Sequence, residues 1–132
     1  INDTVVDVGA AEGNFSLSVV EKARAIYLFE TDEEWIEALE ATFAPWKEKV
    51  HIINKFVSDV NNDKNITLDL FFADKGGFDF IKIDVDGAER PLLKGYEKLL
   101  SSTTPLKIAL CTYHQQNDEQ EFTEFLIKKG FN

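Results

Sequence analysis

The sequence predicts an α/β domain in which a mostly parallel, doubly wound sheet carries helices on both faces. Two observations predict it. Short runs rich in β-branched residues alternate along the chain with stretches of helical periodicity, and several runs are apolar throughout, as strands covered on both sides should be. Five such runs joined by helical crossovers make one parallel sheet with right-handed connections. A length of 132 residues allows a single domain, residues 1–132, with an ordinary core.

The first strand is read in TVVDVG, residues 4–9, which ends at a glycine and hands over to NFSLSVVEKA, residues 14–23, whose apolar positions 15, 17, 19 and 20 suit a helix. AIYLFE, residues 25–30, is the second strand. Thr31 and Glu34 form a capping box ahead of EEWIEALEATF, where Trp35, Ile36, Leu39 and Phe43 recur at helical spacing and Pro45 lies just beyond. VHIINKFV, residues 50–57, is the third strand, SDVNNDKN a loop, and TLDLFFAD a short helix closed by Gly76 and Gly77. FDFIKID, residues 78–84, is the fourth strand, and AERPLLKGYEKLL a helix with Pro91 in its first turn, where a missing N–H is harmless. LKIALCTY, residues 106–113, is the fifth strand. DEQEFTEFLIKKG then reads as a helix, acidic in its first turn and basic in its last, as the macrodipole favours. No internal repeat or low-complexity tract interrupts this order.

Composition narrows the function. A formal net charge of −10 without a basic cluster argues against nucleic-acid or anionic-membrane partners, whose affinity comes from clustered Lys and Arg. No apolar stretch reaches the length of a membrane span, so no membrane insertion is expected. Cys111 is the one cysteine, which rules out an internal disulfide and fits the cytoplasm, the expected location. The chain starts at Ile1 and contains no methionine, as a piece of a longer protein would.

A parallel sheet binds its ligands beyond the carboxyl ends of its strands. Gly9, Glu30, Ser58, Asp59, Asp84, Asp86 and His114 all fall at or just after such ends, whereas His51 falls at a strand start and is read as structural. In DVGAAEG, Asp7 ends the first strand and Gly9 and Gly13 flank a tight turn into a helix whose free N–H groups suit an anion. The G-x-G-x-x-G fingerprint is broken by Ala11, which argues against a nicotinamide-dependent oxidoreductase. Glu30, an acceptor-only carboxylate, can take both hydroxyls of a ribose diol.

Asp7, Gly9 and Gly13 followed by Glu30 resemble the class I S-adenosylmethionine-dependent methyltransferases. FIKIDVDGAE with LLKG downstream, and CTYH after the fifth strand, narrow the resemblance to the FkbM-type family, over nearly the whole chain. The resemblance implies a Rossmann-like methyltransferase fold and S-adenosyl-L-methionine as cofactor. Gly9, with Ala10 and Gly13, would face its methionine and ribose part, Glu30 and Thr31 the ribose, and Ser58 or Asp59 the adenine edge. Asp7 would orient the amino group or simply fix the turn; Asn14 would line the pocket or cap the first helix. Such methyltransferases carry two further strands at the sheet edge, and these are expected to be missing here.

Asp84, Asp86 and Glu89 crowd three carboxylates around Gly87 where the fourth strand ends. Methyl transfer to an alcohol oxygen needs an aligned acceptor and a place for its proton. Asp84, Asp86 and His114 are therefore the candidate catalytic residues, with Asp84 also beside the methyl donor. Glu89 reads equally as a favourable charge at a helix N-terminus. The carboxylates could together ligate a divalent cation, but the sequence supplies no firm ligand set and no metal is assigned. The expected reaction is O-methylation of a small molecule, sugar or glycan; the alternative is a non-catalytic domain that keeps the fold and binds a nucleoside or a protein partner.

Overall fold

The structure is a computed structural model describing residues 2–101 and 105–132. In chain order, β1 (Thr4–Val8) leads to α1 (Asn14–Val19), β2 (Ala25–Phe29), α2 (Glu33–Phe43) and, after a 3-10 turn, β3 (Val50–Ile53). Two short strands follow, β4 (Phe56–Val57) and β5 (Asn65–Ile66), then α3 (Leu68–Phe71), β6 (Phe80–Ile83), α4 (Glu89–Lys94), α5 (Glu97–Leu100), β7 (Lys107–Leu110) and α6 (Asp118–Lys128). Five strands form one sheet in the order β3-β2-β1-β6-β7, and every pairing in it is parallel. The predicted α/β architecture is the observed one.

All five residues of β1 are buried, because it lies at the centre of the sheet with helices above and below. Alternate side chains serve opposite layers. Val5 packs with Ile26 and Leu28, and with Leu39 and Phe43 of α2, on one face. Val6 and Val8 pack with Ile81 and Ile83, with Leu92 of α4 and Phe122 of α6, and with Tyr96 between α4 and α5, on the other. Full burial of each such aliphatic side chain stabilises the fold by about 1.5–3 kcal/mol, so the two layers fix the sheet whose carboxyl edge carries the site.

Several elements depart from expectation for identifiable reasons. Asp32, not Thr31, caps α2: its Oδ1 accepts from the N–H of Glu34 at 2.9 Å and of Trp35 at 3.4 Å. The expected strand 50–57 divides at Asn54–Lys55, where the Lys55 N–H turns back to the Ile53 carbonyl at 3.0 Å, and β4 pairs instead with β5 in a separate two-stranded sheet. The helix expected over 88–100 breaks at Gly95. A β-carbon there would lie 1.9 Å from the Ser58 carbonyl oxygen, so the loop after β4 packs directly on this backbone. Helix α1 ends at Val19, short of the expected residue 23.

Candidate active site

Sheet order reverses between β1 and β6, and a cleft of about 180 Å³ opens at that point on the carboxyl edge. Gly9, Glu30, Thr31, Phe56, Asp84 and Asp86 line it. Residues up to 77 positions apart in sequence thus share one rim. Thr31 and Phe56 also border an adjoining hollow of about 390 Å³, so the cleft continues outward past β4. A larger hollow of about 460 Å³ lies beside Phe78 and Tyr96, at the opposite end of the sheet.

The turn after β1 is held by main chain. Gly9 has φ +76°, and its N–H donates to the Phe29 carbonyl at 3.0 Å. A β-carbon on Gly9 would stand 1.9 Å from the Asp84 carbonyl oxygen. Glycine is required here because the turn packs against the end of β6. Gly13, at φ +78°, is spent similarly: a β-carbon would meet Leu39 of α2 at 2.6 Å. Glu30 ties two turns together, its Oε2 accepting from Ala11 N–H at 2.8 Å and its Oε1 from Thr31 and Asp32 N–H at 2.7 and 3.0 Å. Of about four lone-pair sites on a carboxylate, these bonds leave about one free.

Asp7 lies below the rim and is wholly buried. It accepts from the Ser16 hydroxyl at 2.7 Å and faces the Lys82 ammonium at 3.0 Å; Lys82 also donates to the Gly9 carbonyl at 2.8 Å. Burial pushes the Asp7 carboxyl above its ordinary range, with Lys82 and Ser16 opposing the rise. Asp7 thus holds the start of α1 through Ser16 and reaches the Gly9 turn through Lys82. Lys82 pairs across to Asp7 in the β1–β6 register and was missed in the sequence. Its signal was there: a lysine between Ile81 and Ile83 in a covered strand needs a buried partner.

Three carboxylates meet around one imidazole. His114 Nε2 lies 3.3 Å from Asp84 Oδ1 and 3.5 Å from Asp86 Oδ1, while Nδ1 lies 2.9 Å from Glu89 Oε1. Glu89 is wholly buried, Asp84 partly exposed and Asp86 fully open to solvent. Asp86 holds a left-handed backbone, φ +50°. The Tyr113 hydroxyl donates to both Asp84 oxygens at 3.2 and 3.3 Å; a hydrogen bond with Cys111, then desolvation and the Asp84 charge, push its pKa up to about 12, so it remains a donor. The loop bearing His114 is anchored from behind. Gln115 donates to the Gly87 carbonyl at 2.9 Å, and Arg90 bonds Gln115 at 2.9 Å and buried Asp118 at 2.8 Å. Glu89 stands in the first turn of α4 and turns its side chain inward, toward His114 and the Val85 N–H.

The structure therefore brings Gly9, Glu30, Thr31, Asp84 and Asp86 to the cleft and sets His114 against it. It does not bring the other expected residues there. Ala10 and Gly13 are packed on α2, and Asn14 bonds Glu12 at the surface. Ser58 and Asp59 lie against Gly95, with Asp59 paired to Lys94 at 2.9 Å. Phe56, 55% exposed beside Glu30 and Thr31, was missed, because it was read as the interior of a longer strand.

Comparison with known proteins agrees with this architecture. The methyltransferase FkbM from Methylobacillus flagellatus KT superimposes with a TM-score of 0.83 at 20% identity, over 96% of this chain and 37% of that one. An rRNA methylase from Streptococcus thermophilus gives 0.66 at 16% identity over 99% and 71%, and a precorrin-8w decarboxylase from Methanobacterium thermoautotrophicum 0.68 at 20% over 99% and 64%. At these identities the likeness is one of fold, and the chain spans little more than a third of the Methylobacillus protein's length. No curated protein matches the sequence. Among the described residues no helix is long and apolar enough to cross a membrane. The model of the methyltransferase FkbM domain matches residues 8–132, so the chain belongs to the FkbM methyltransferase family.

Proposed function

We propose that this domain transfers a methyl group from S-adenosylmethionine to a hydroxyl oxygen of a small molecule, sugar or glycan. The observation that carries the reading is the meeting of the Gly9 turn, Glu30 and Asp84 on one cleft at the reversal of strand order. The residues fit the donor by charge. Glu30, Asp84 and Asp86 face the cleft against a single lysine, Lys55, whose ammonium is engaged by the Asn62 and Asp63 carbonyls, and that surplus suits a cation. When bound, S-adenosylmethionine supplies an electrophilic methyl carbon on a sulfonium sulfur.

The protein's own part is orientation and proton uptake. Glu30 offers its remaining acceptor site to a ribose hydroxyl, and Phe56 an apolar face beside it. Asp84, steadied by Tyr113, accepts the acceptor's O–H and holds its oxygen toward the cleft. As the new O–C bond forms and the donor's C–S bond breaks, that proton passes to Asp84, whose carboxylate lies 3.3 Å from His114 Nε2. Cytoplasmic location and a hydroxylated acceptor belong to the same proposal.

A second reading, a non-catalytic domain retaining the fold, is favoured by one observation: three main-chain N–H groups already occupy Glu30. Calorimetry separates the two. Methyl transfer requires saturable heat with S-adenosylmethionine and, with a pool of hydroxylated acceptors, release of S-adenosylhomocysteine. No heat at ligand concentrations on the order of 1 mM, where binding is worth about 4 kcal/mol, removes the cofactor.

A further inference from the structure

The cluster around His114 carries more negative charge than the protein itself neutralises. Among the described residues no lysine or arginine pairs with Asp84, Asp86 or Glu89. Lys82 is taken by Asp7, Arg90 by Asp118 and Glu121, and Lys94 by Asp59. One imidazole faces three carboxylates. Two of the polar atoms are also bare: Glu89 is 0% exposed, yet its Oε2 has no hydrogen-bond partner, and His114 Nδ1 lies close to Glu89 Oε1 without a bond being formed. A buried carboxylate left this way is costly unless something charged completes it.

We propose that Asp84, Glu89 and His114 form a binding site for one divalent cation, with Asp86 adding charge from the exposed side. One donor atom from each of the three lies within 4.8 Å of the others. Bonds of about 2.0–2.2 Å span up to roughly 4.4 Å across an ion, so small side-chain rotations close the site. The 3.3 Å between His114 Nε2 and Asp84 Oδ1 is already an edge length of such a polyhedron. Two carboxylates and one imidazole mix hard and borderline donors, the set that takes Mn²⁺, Fe²⁺ or Zn²⁺ and lacks the thiolates that select softer ions. The ion would sit beside the cleft, where a hydroxylated ligand could complete its coordination and be polarised by it.

The site stands on its own geometry and needs no methyl donor, so its test is read without cofactor or acceptor. The chain contains two histidines, and His51, on edge strand β3, is an internal control. Substoichiometric Mn²⁺ should broaden the ring NMR signals of His114 and leave those of His51 sharp. The free-Mn²⁺ electron paramagnetic resonance signal should be lost with a stoichiometry of one per chain, and Asp84→Asn should weaken binding at least tenfold, since even an outer partner of a metal ligand is worth about 10–100-fold. Equal broadening of both histidines, the outcome expected if Mn²⁺ merely gathers on a surface of net charge −10, overturns the proposal. Broadening of neither, or unchanged affinity in the folded variant, does so too. The NMR arm uses the unaltered chain and decides the matter even if the variant does not fold. Failure here leaves the methyl-transfer reading intact, because that rests on calorimetry with S-adenosylmethionine.

Discussion

Replacing Gly9 by alanine tests whether the first turn is shaped by the protein or by a ligand. The new β-carbon would be placed 1.9 Å from the Asp84 carbonyl oxygen, and contacts under 3.0 Å essentially never occur, so β6 and the turn must part by at least about 1 Å. Displacing packed backbone costs up to about 3 kcal/mol, and holding a non-glycine residue at φ +76° costs about 1–2 kcal/mol more. The sum is roughly 4–5 kcal/mol, which at about 3–5 °C per kcal/mol for a domain this size lowers Tm by roughly 12–25 °C. Gly76→Ala is the control: it has φ +74° and nothing within 4 Å of the added carbon, so only the backbone cost of about 1–2 kcal/mol applies. Thermal melts followed by circular dichroism compare the two directly. If Gly9→Ala melts within a few degrees of Gly76→Ala, the contact with Asp84 is not what requires the glycine.

Gly95→Ala isolates a contact without backbone strain, because Gly95 has φ −74° while its added carbon would meet the Ser58 carbonyl at 1.9 Å; urea unfolding should show a loss of about 1–3 kcal/mol, and a neutral result would contradict the packing described. Asp7 has a folded pKa raised by burial, so its contribution is fully present below the unfolded value of about 3.9 and is lost as the pH rises through the folded one. The unfolding free energy of the wild type minus that of Asp7→Asn should accordingly fall across that window, and a difference that grows there would refute the assignment. Asp84→Ala should leave S-adenosylmethionine affinity within a few-fold but cut S-adenosylhomocysteine release by about 10²–10⁴; an unchanged rate removes Asp84 from the reaction. Phe56→Ala, at an exposed position, should change stability by no more than about 0.5 kcal/mol yet weaken cofactor binding measurably by calorimetry, and equal affinity would detach Phe56 from the cleft.

What could be read in advance was what depends on local pattern. TVVDV, AIYLF and FIKI are covered by helices on both sides, so their apolar continuity announces buried parallel strands, and the rule that ligands bind at strand carboxyl ends then selects Gly9, Glu30, Asp84 and His114. What stayed hidden depends on partners distant in sequence. The glycines at 9 and 13 are explained by Asp84 and by Leu39, and the break at Gly95 by Ser58; none of these contacts leaves a local trace. The choice of Asp32 over Thr31 as cap turns on which of two adjacent capable residues leaves the helical backbone first. Glu89 had an adequate local explanation at a helix start, which concealed that its side chain faces inward.

The carboxylate of Glu30 works as a latch between two loops, since the amides of Ala11, Thr31 and Asp32 all close on it. A sugar that claims an oxygen already in use would have to loosen one of those amides. Exchange of these three protons with deuterium would then speed up on ligation, whereas a sugar content with the spare lone pair would slow it. The latch is in this sense a built-in gauge of how a visitor is received.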